Sequence, residues 1–240
     1  MTLPAGSYAG TMRMERPGSA AGSAVRTFHA RTGRLSAAKR RALAELLPHL
    51  ALAPGERPDA LDFGCGTGEA LLTRARAEPE LMWLGVDVHR ASLATAAIRA
   101  IGSGAPAGPA GSGPASTEAA TNVRLHLGDG VEVLSRRIDV ESLQAVQILF
   151  PDPWPKAAHR ARRLIQAPFV ELLVSRLRPQ GRLALATDDV AYGTQMLDVL
   201  GRCPRLRGGP VTTLDGPATF YERRARAADR QVLHLRYVAS

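Results

Sequence analysis

Short apolar runs alternate with stretches of helical periodicity from residue 59 onward. Val123–Leu127 reads as a strand, and Ala60–Phe63, Met82–Val86, Ala145–Phe150 and Leu183–Thr187 are apolar almost throughout. That is the pattern of strands buried on both faces. Between them, Glu69–Ala77, Ser92–Ile101, Leu164–Leu177 and Val190–Leu200 repeat their apolar residues at helical spacing. In the third of these, Phe169, Val170, Leu172, Leu173 and Leu177 share one side. Strands alternating with helices predict an α/β fold, a mostly parallel sheet with helices on both faces. The tail, Val232–Val238, sets Val, Leu and Tyr against His and Arg, which predicts a final antiparallel strand.

The flanks read differently. Residues 1–24 contain much Gly, Ala, Ser and Pro without periodicity, and disorder is expected there. Ser36 is a candidate N-cap for an amphipathic helix over 37–50, with Leu43, Leu46, Leu47 and Leu50 on one face. Lys39, Arg40 and Arg41 occupy the other face, either solvated or facing phosphate. Residues 103–121 hold Gly, Ala, Pro and Ser with a single charge, Glu118, and predict a flexible insertion. The expected organisation is thus an N-terminal arm and basic helix (1–50) followed by one α/β domain (51–240).

The chain has 240 residues, 45% of them hydrophobic, enough for one sizeable core. No apolar run is long enough to cross a membrane, and the N-terminus lacks an apolar signal core, so a cytoplasmic, membrane-free protein is expected. Cys65 and Cys203 make neither a disulfide framework nor a metal-ligand spacing, and no metal is expected. The net charge is +9, carried by the ends: residues 1–50 hold +6 and 201–240 hold +5, while the middle is −2. A polyanion partner is the simplest account. A genome-wide preference for Arg, which supplies 29 of the 31 basic residues, would give the same excess.

Between the first strand and its helix lies Asp62-Phe63-Gly64-Cys65-Gly66-Thr67-Gly68. Glycines here let a ligand approach the backbone. The spacing is G-x-G-x-G, not the dinucleotide G-x-G-x-x-G, and Asp62 would repel a pyrophosphate. An acid at that place suits a cationic ligand group. Asp87 ends the second strand, where a carboxylate can accept from both ribose hydroxyls. Asp129 ends the third and suits an adenine amino group. Any one of these fits a solvated turn; three at successive strand ends fit a nucleoside site better. This layout resembles the class I methyltransferases that use S-adenosyl-L-methionine.

A second motif narrows the reading. Phe150-Pro151-Asp152-Pro153-Trp154-Pro155-Lys156 forms a rigid proline turn with a carboxylate and an indole, followed by His159, Arg160, Arg162 and Arg163. Ala186-Thr187-Asp188 and Thr219-Phe220-Tyr221-Glu222-Arg223-Arg224 follow in order, and Val25-Arg26-Thr27-Phe28 with Gly33-Arg34-Leu35 precedes. Together these resemble the bacterial tRNA (guanine-N7-)-methyltransferases, the TrmB family, from about residue 25 to 238.

The resemblance implies a Rossmann-like fold with a seven-stranded sheet. It also implies methyl transfer from S-adenosyl-L-methionine to N7 of a guanosine in the tRNA variable loop, with S-adenosyl-L-homocysteine as the second product. Asp62, Gly64, Gly66, Gly68, Asp87, Asp129 and Asp152 would bind the cofactor, and Asp152 would also be catalytic. Lys156, Asp188, Thr219 and Glu222 would contact substrate. His159, Arg160, Arg162 and Arg163 would hold the RNA backbone, or else form a solvated helix start. Trp154 would either stack near the base or wall the turn. Glu222 would accept from guanine or pair with a nearby Arg.

The family more often has Glu at the positions of Asp62 and Asp87. Its basic tail after Trp-x-Lys is denser than here, where Ala157, Ala158 and Ala161 interrupt it. Monomer and homodimer are both compatible with the sequence. Two rival readings are the same fold acting on rRNA or a small molecule, and a non-catalytic RNA-binding scaffold. The intact glycine turn and its acids speak against the second.

Overall fold

The computed structural model describes residues 27–28, 34–102, 120–216 and 218–240. The expectations for 1–24 and nearly all of 103–121 lie outside the described residues. The chain forms β1 (Ala60–Phe63), α2 (Glu69–Ala77), β2 (Trp83–Asp87), α3 (Arg90–Ala100), β3 (Val123–Leu127), α4 (Gly130–Arg136) and β4 (Leu143–Leu149). It continues with α5 (Ala167–Arg176), β5 (Leu177–Thr187), α6 (Val190–Gly201), β6 (Leu206–Val211), α7 (Phe220–Ala227) and β7 (Leu233–Ala239). A short α1 (Ala37–Arg41) precedes them.

The strands form one seven-stranded sheet in the order β3-β2-β1-β4-β5-β7-β6. β3, β2, β1, β4 and β5 are parallel, and β7 runs antiparallel between β5 and β6. This is the Rossmann-like arrangement of class I methyltransferases, with its reversed strand. Strand order changes direction between β1 and β4, and such a switch opens a ligand crevice beyond the carboxyl ends of the two strands.

Alternation along each strand divides the core in two. Leu61, Leu84, Val86, Val146, Ile148 and Leu185 pack with Phe169, Val170, Leu173, Tyr192 and Met196 of α5 and α6. Ala60, Trp83, Val123, Leu125 and Ala145 face the other way, against Leu71, Leu72, Leu93, Ala96 and Ala97 of α2 and α3. No helix among the described residues is long and apolar enough to cross a membrane.

Several elements differ from the sequence expectation. Ser36 does cap α1, accepting from the Lys39 N–H at 3.3 Å. The α-helix, however, ends at Arg41 and continues as a wide turn (Ala42–Leu46) and a tight 3-10 turn (Leu47–Leu50). Pro48 lacks the N–H that an α-helix needs at that position, which accounts for the change to a tight turn. The helix expected over Leu164–Leu177 starts only at Ala167, beside Pro168, and ends at Arg176; a separate 3-10 turn, Ala157–Arg162, precedes it. β6 was hidden by Gly208-Gly209-Pro210, residues that ordinarily mark a turn; this strand lies at the sheet edge, where Pro is tolerated. α4 and α7 are short and polar and carry little apolar periodicity.

Gly68 caps α2 in the left-handed region, with φ +79°. A Cβ there would lie 2.9 Å from Ala96 Cβ and 3.2 Å from its Cα, inside the contact between the glycine turn and α3. Gly68→Ala is therefore expected to lower unfolding free energy by about 1–3 kcal/mol, from a strained backbone conformation and displaced packing, as read by urea denaturation.

Candidate active site

The glycine turn is pinned before any ligand arrives. Gly64 and Cys65 donate to the Val86 carbonyl at 2.9 and 3.1 Å, tying the end of β1 to β2. Gly66 N–H donates to Asp87 Oδ2 at 2.8 Å. The other oxygen of Asp87 accepts from the His89 N–H at 2.6 Å and lies 3.1 Å from His89 Nδ1. Asp87 thus fastens the turn, and a carboxylate, with about four lone-pair sites, retains capacity for hydroxyl donors. Asp129 caps α4 through Val131 N–H at 2.8 Å.

Asp62 is in a different state. It lies on β1, 2% exposed, and its Oδ2 has no hydrogen-bond partner among the described residues. Burial pushes its carboxyl up to about 7; the nearby Gln147 amide offsets part of this and the Asp87 charge adds to it. Gln147 is its register partner on β4. The Gln147 Nε2 is likewise buried without a hydrogen-bond partner. A buried carboxylate and a buried amide, each with one atom that lacks a hydrogen-bond partner, therefore sit side by side at the β1/β4 switch. Nothing stands within 4 Å of where a Cβ on Gly64 or Gly66 would lie, so the turn has open space along its backbone. A buried anion beside an open glycine cradle, with carboxylates at the next two strand ends, fits a cationic nucleoside such as S-adenosyl-L-methionine. The Cys65 thiol is pushed well up by burial and then by Asp62 and Asp87, which makes it a poor nucleophile.

The proline turn follows β4. Phe150 and Trp154, on either side of it, have positive φ (53° and 43°), a strained state for bulky residues. The turn is held from several directions. Phe150 N–H donates to the Ala186 carbonyl of β5 at 2.8 Å. Trp154 is 3% exposed, with its indole N–H donating to the Thr27 carbonyl at 3.0 Å. Arg162 lies over its ring at 3.9 Å and His159 meets it edge-on. Trp154 is thus a wall of the turn, not an exposed stacking surface.

Arg163 departs from the sequence expectation. It is not available to RNA: 2% exposed, it donates to the Pro153 carbonyl at 2.8 Å, the Ala191 carbonyl at 3.2 Å and Gln195 Oε1 at 2.9 Å. Its guanidinium also packs over Tyr192. It is an internal post joining the proline turn to α6, and composition alone does not tell which of His159, Arg160, Arg162 and Arg163 turns inward. Lys156, His159 and Arg160 are exposed, and Arg162 is half-buried against Trp154. Asp152, in the turn, is half-buried.

Thr219 caps α7, accepting from the Glu222 N–H at 3.2 Å. Glu222 is buried and pairs with Arg226 and with His234 Nε2. These residues line a cleft of about 220 Å³ together with Gln147, Phe150 and Ala186, so the cleft reaches from the switch point to α7. Asp188, after β5, accepts from Arg230 Nε at 2.9 Å and lies apart from this group. Three contributors were not singled out in the sequence. Gln147 is a polar residue within the apolar run Ala145–Phe150, which was a legible signal. His234 is on the polar side of β7. Glu69 opens α2 and reaches α7, a contact that sequence spacing does not encode. Among the described residues no group of three His, Cys, Asp or Glu is placed to hold a metal ion.

A family profile described as a putative methyltransferase matches residues 56–235. The chain is 37% identical over 232 residues to a tRNA (guanine-N(7)-)-methyltransferase of Halorhodospira halophila, covering 89% of this chain and 94% of that one. It is 36% identical over 235 residues to the protein of the same name from Alkalilimnicola ehrlichii, covering 89% and 92%. Among solved structures, the aminoglycoside resistance methyltransferase NpmB1 superposes with a TM-score of 0.50 at 18% identity over 87% of this chain and 95% of that one, a likeness of fold. With a matching profile over most of its length and relatives of this identity along nearly all of it, the chain belongs to the bacterial tRNA (guanine-N7-)-methyltransferase family.

Proposed function

We infer that this protein transfers a methyl group from S-adenosyl-L-methionine to N7 of a guanosine in the variable loop of tRNA. The observation that carries this is a carboxylate on each of the two adjacent strands that flank one strand-order switch, one within β1 and one just after β4. Asp62 on β1 is buried, with its Oδ2 lacking a hydrogen-bond partner among the described residues, suited to a cation. Asp152 follows the adjacent β4 in a proline-fixed turn, suited to a base.

When bound, the cofactor supplies a methyl carbon on a sulfonium, which N7 accepts as sulfur becomes a neutral thioether. Asp62 and Gln147 would offer an acceptor and a donor to its amino acid end, Asp87 would accept from its ribose hydroxyls, and Asp129 would accept from its adenine amino group. Guanine N7 has an in-plane lone pair and no proton, so the enzyme needs no general base. Its work is alignment and charge stabilisation. Positive charge grows on the purine, and Asp152 stabilises it or holds the guanine's Watson–Crick edge. Thr219 and Glu222 wall the cleft on the substrate side. Lys156, His159 and Arg160 face outward to phosphates, with Arg162 beside them on Trp154. Arg163 positions the turn from within.

Transfer of labelled methyl to unmodified tRNA, followed by mapping of the modified base, tests this reading; 7-methylguanosine in the variable loop is expected, and a label on another base or none would overturn it. Asp152→Ala is expected to lower kcat by about 10²-fold or more with a smaller effect on cofactor affinity. Near-normal turnover would remove Asp152 from the reaction. Lys156→Ala with Arg160→Ala should weaken tRNA binding and reduce its salt slope by about two.

Asp62 titrates near 7 in the folded, cofactor-free protein, above the ordinary carboxyl value of 3.8. A raised value means that folding favours the protonated form. Its contribution to stability is full below 3.8 and is lost as pH rises through about 7. A cationic ligand needs the ionised form, so cofactor affinity should climb from pH 5 to 7. Asp62→Asn should flatten both trends, giving a protein more resistant to thermal unfolding at pH 8 yet weaker in cofactor binding by calorimetry.

A further inference from the structure

Among the described residues, four large apolar side chains are exposed, and two of them are neighbours at the start of α7: Phe220 at 54% and Tyr221 at 52%. Their place is fixed. Phe220 N–H donates to Glu69 Oε2 at 2.8 Å, and Arg223 pairs with Glu69 Oε1 at 2.8 Å. The first residue after the glycine turn therefore clasps the first turn of α7. The Tyr221 ring stacks on Phe150, with centroids 5.9 Å apart and planes at 27°. Phe220 meets Tyr221 edge-on at 5.5 Å. Three rings thus form a continuous step that begins two residues before Asp152 and ends in solvent.

The rest of α7 is cationic. Arg223, Arg224 and Arg226 follow the rings, and Arg224 is exposed with no hydrogen bond or ion pair among the described residues. Rings interleaved with arginine match single-stranded nucleic acid, whose bases stack on aromatic faces while phosphates meet the cations.

We propose that Phe220 and Tyr221 form a stacking platform for a nucleobase adjacent to the target guanosine, with Arg224 at the adjoining phosphate. This rests on the tRNA reading above. A guanosine drawn into the cleft leaves its neighbour with an uncovered face, and an aromatic step that adjoins the cleft-lining Phe150, Thr219 and Glu222 replaces the lost stack. Phe220 and Tyr221 then set how firmly the loop is held, while Asp152 acts on the base within.

Steady-state methyl transfer to a tRNA transcript by Phe220→Ala, Phe220→Leu and Phe220→Trp tests the platform. Phe220→Ala should raise KM for tRNA at least about fivefold, with kcat within about twofold and cofactor affinity by calorimetry unchanged. Phe220→Trp should restore KM and Phe220→Leu should not, because a merely apolar contact would accept leucine. A transcript carrying 2-aminopurine beside the target guanosine should lose fluorescence on binding the wild-type protein and keep it with Phe220→Ala. An unchanged KM in Phe220→Ala, restoration by leucine, or a dimer that dissociates on this substitution would each overturn the platform; the last would show that a second copy covers the rings. A wild-type enzyme that methylates no tRNA would instead sink the reading under Proposed function.

Discussion

A carboxylate buried without a partner is expensive, and the fold places one at the point where its sheet reverses strand order. Asp62 stands on β1 beside Gln147 of β4, buried, with its Oδ2 and the Gln147 Nε2 lacking a hydrogen-bond partner among the described residues. In the absence of ligand this costs stability, because the carboxylate must either stay uncompensated or take up a proton. A cationic ligand removes that cost. The stability forgone in the empty protein thereby becomes selectivity for a positively charged group, and it rejects the pyrophosphate cofactors that the same sheet topology serves elsewhere. The remaining features of the site, from the Asp87 tether to the open glycine cradle, arrange the surroundings of that one unmet charge.

Strain on the other side of the switch follows a similar logic. A turn with two bulky residues at positive φ persists only when its surroundings hold it. Arg163 supplies the inner hold, spending three donors on the turn and on α6, and Trp154 supplies the outer one. Asp152 is carried between these two supports. Its position is set by two side chains that are themselves almost wholly buried. A buried arginine in a cluster of exposed ones is a structural element wearing the composition of a binding site.

That cluster also marks where sequence reading stops. The strands, the reversed β7 and the acids at successive strand ends were legible, because alternation and burial on both faces leave a periodic trace. The glycine turn and the proline turn were legible because each residue there has a backbone reason to be present. Arg163 was not, since charge says nothing about direction: only the packing of α6 shows that its side chain points inward. β6 was invisible because Gly-Gly-Pro reads as a turn until an edge position is known. Glu69 looked like an ordinary first-turn acid, and its reach to α7 depends on a contact between segments 151 positions apart. Such long-range pairings have no local signature.

The Glu69 clasp has a consequence for how this protein can change over generations. It fastens the helix that follows the cofactor turn to the helix that bears Phe220 and Arg223. Loss of either charge would leave the other facing a half-buried void in the same small volume. Glu69 and Arg223 are therefore coupled: a replacement at either loosens α7 from α2, and a paired replacement that rebuilds the contact is expected to cost less than the sum of the two.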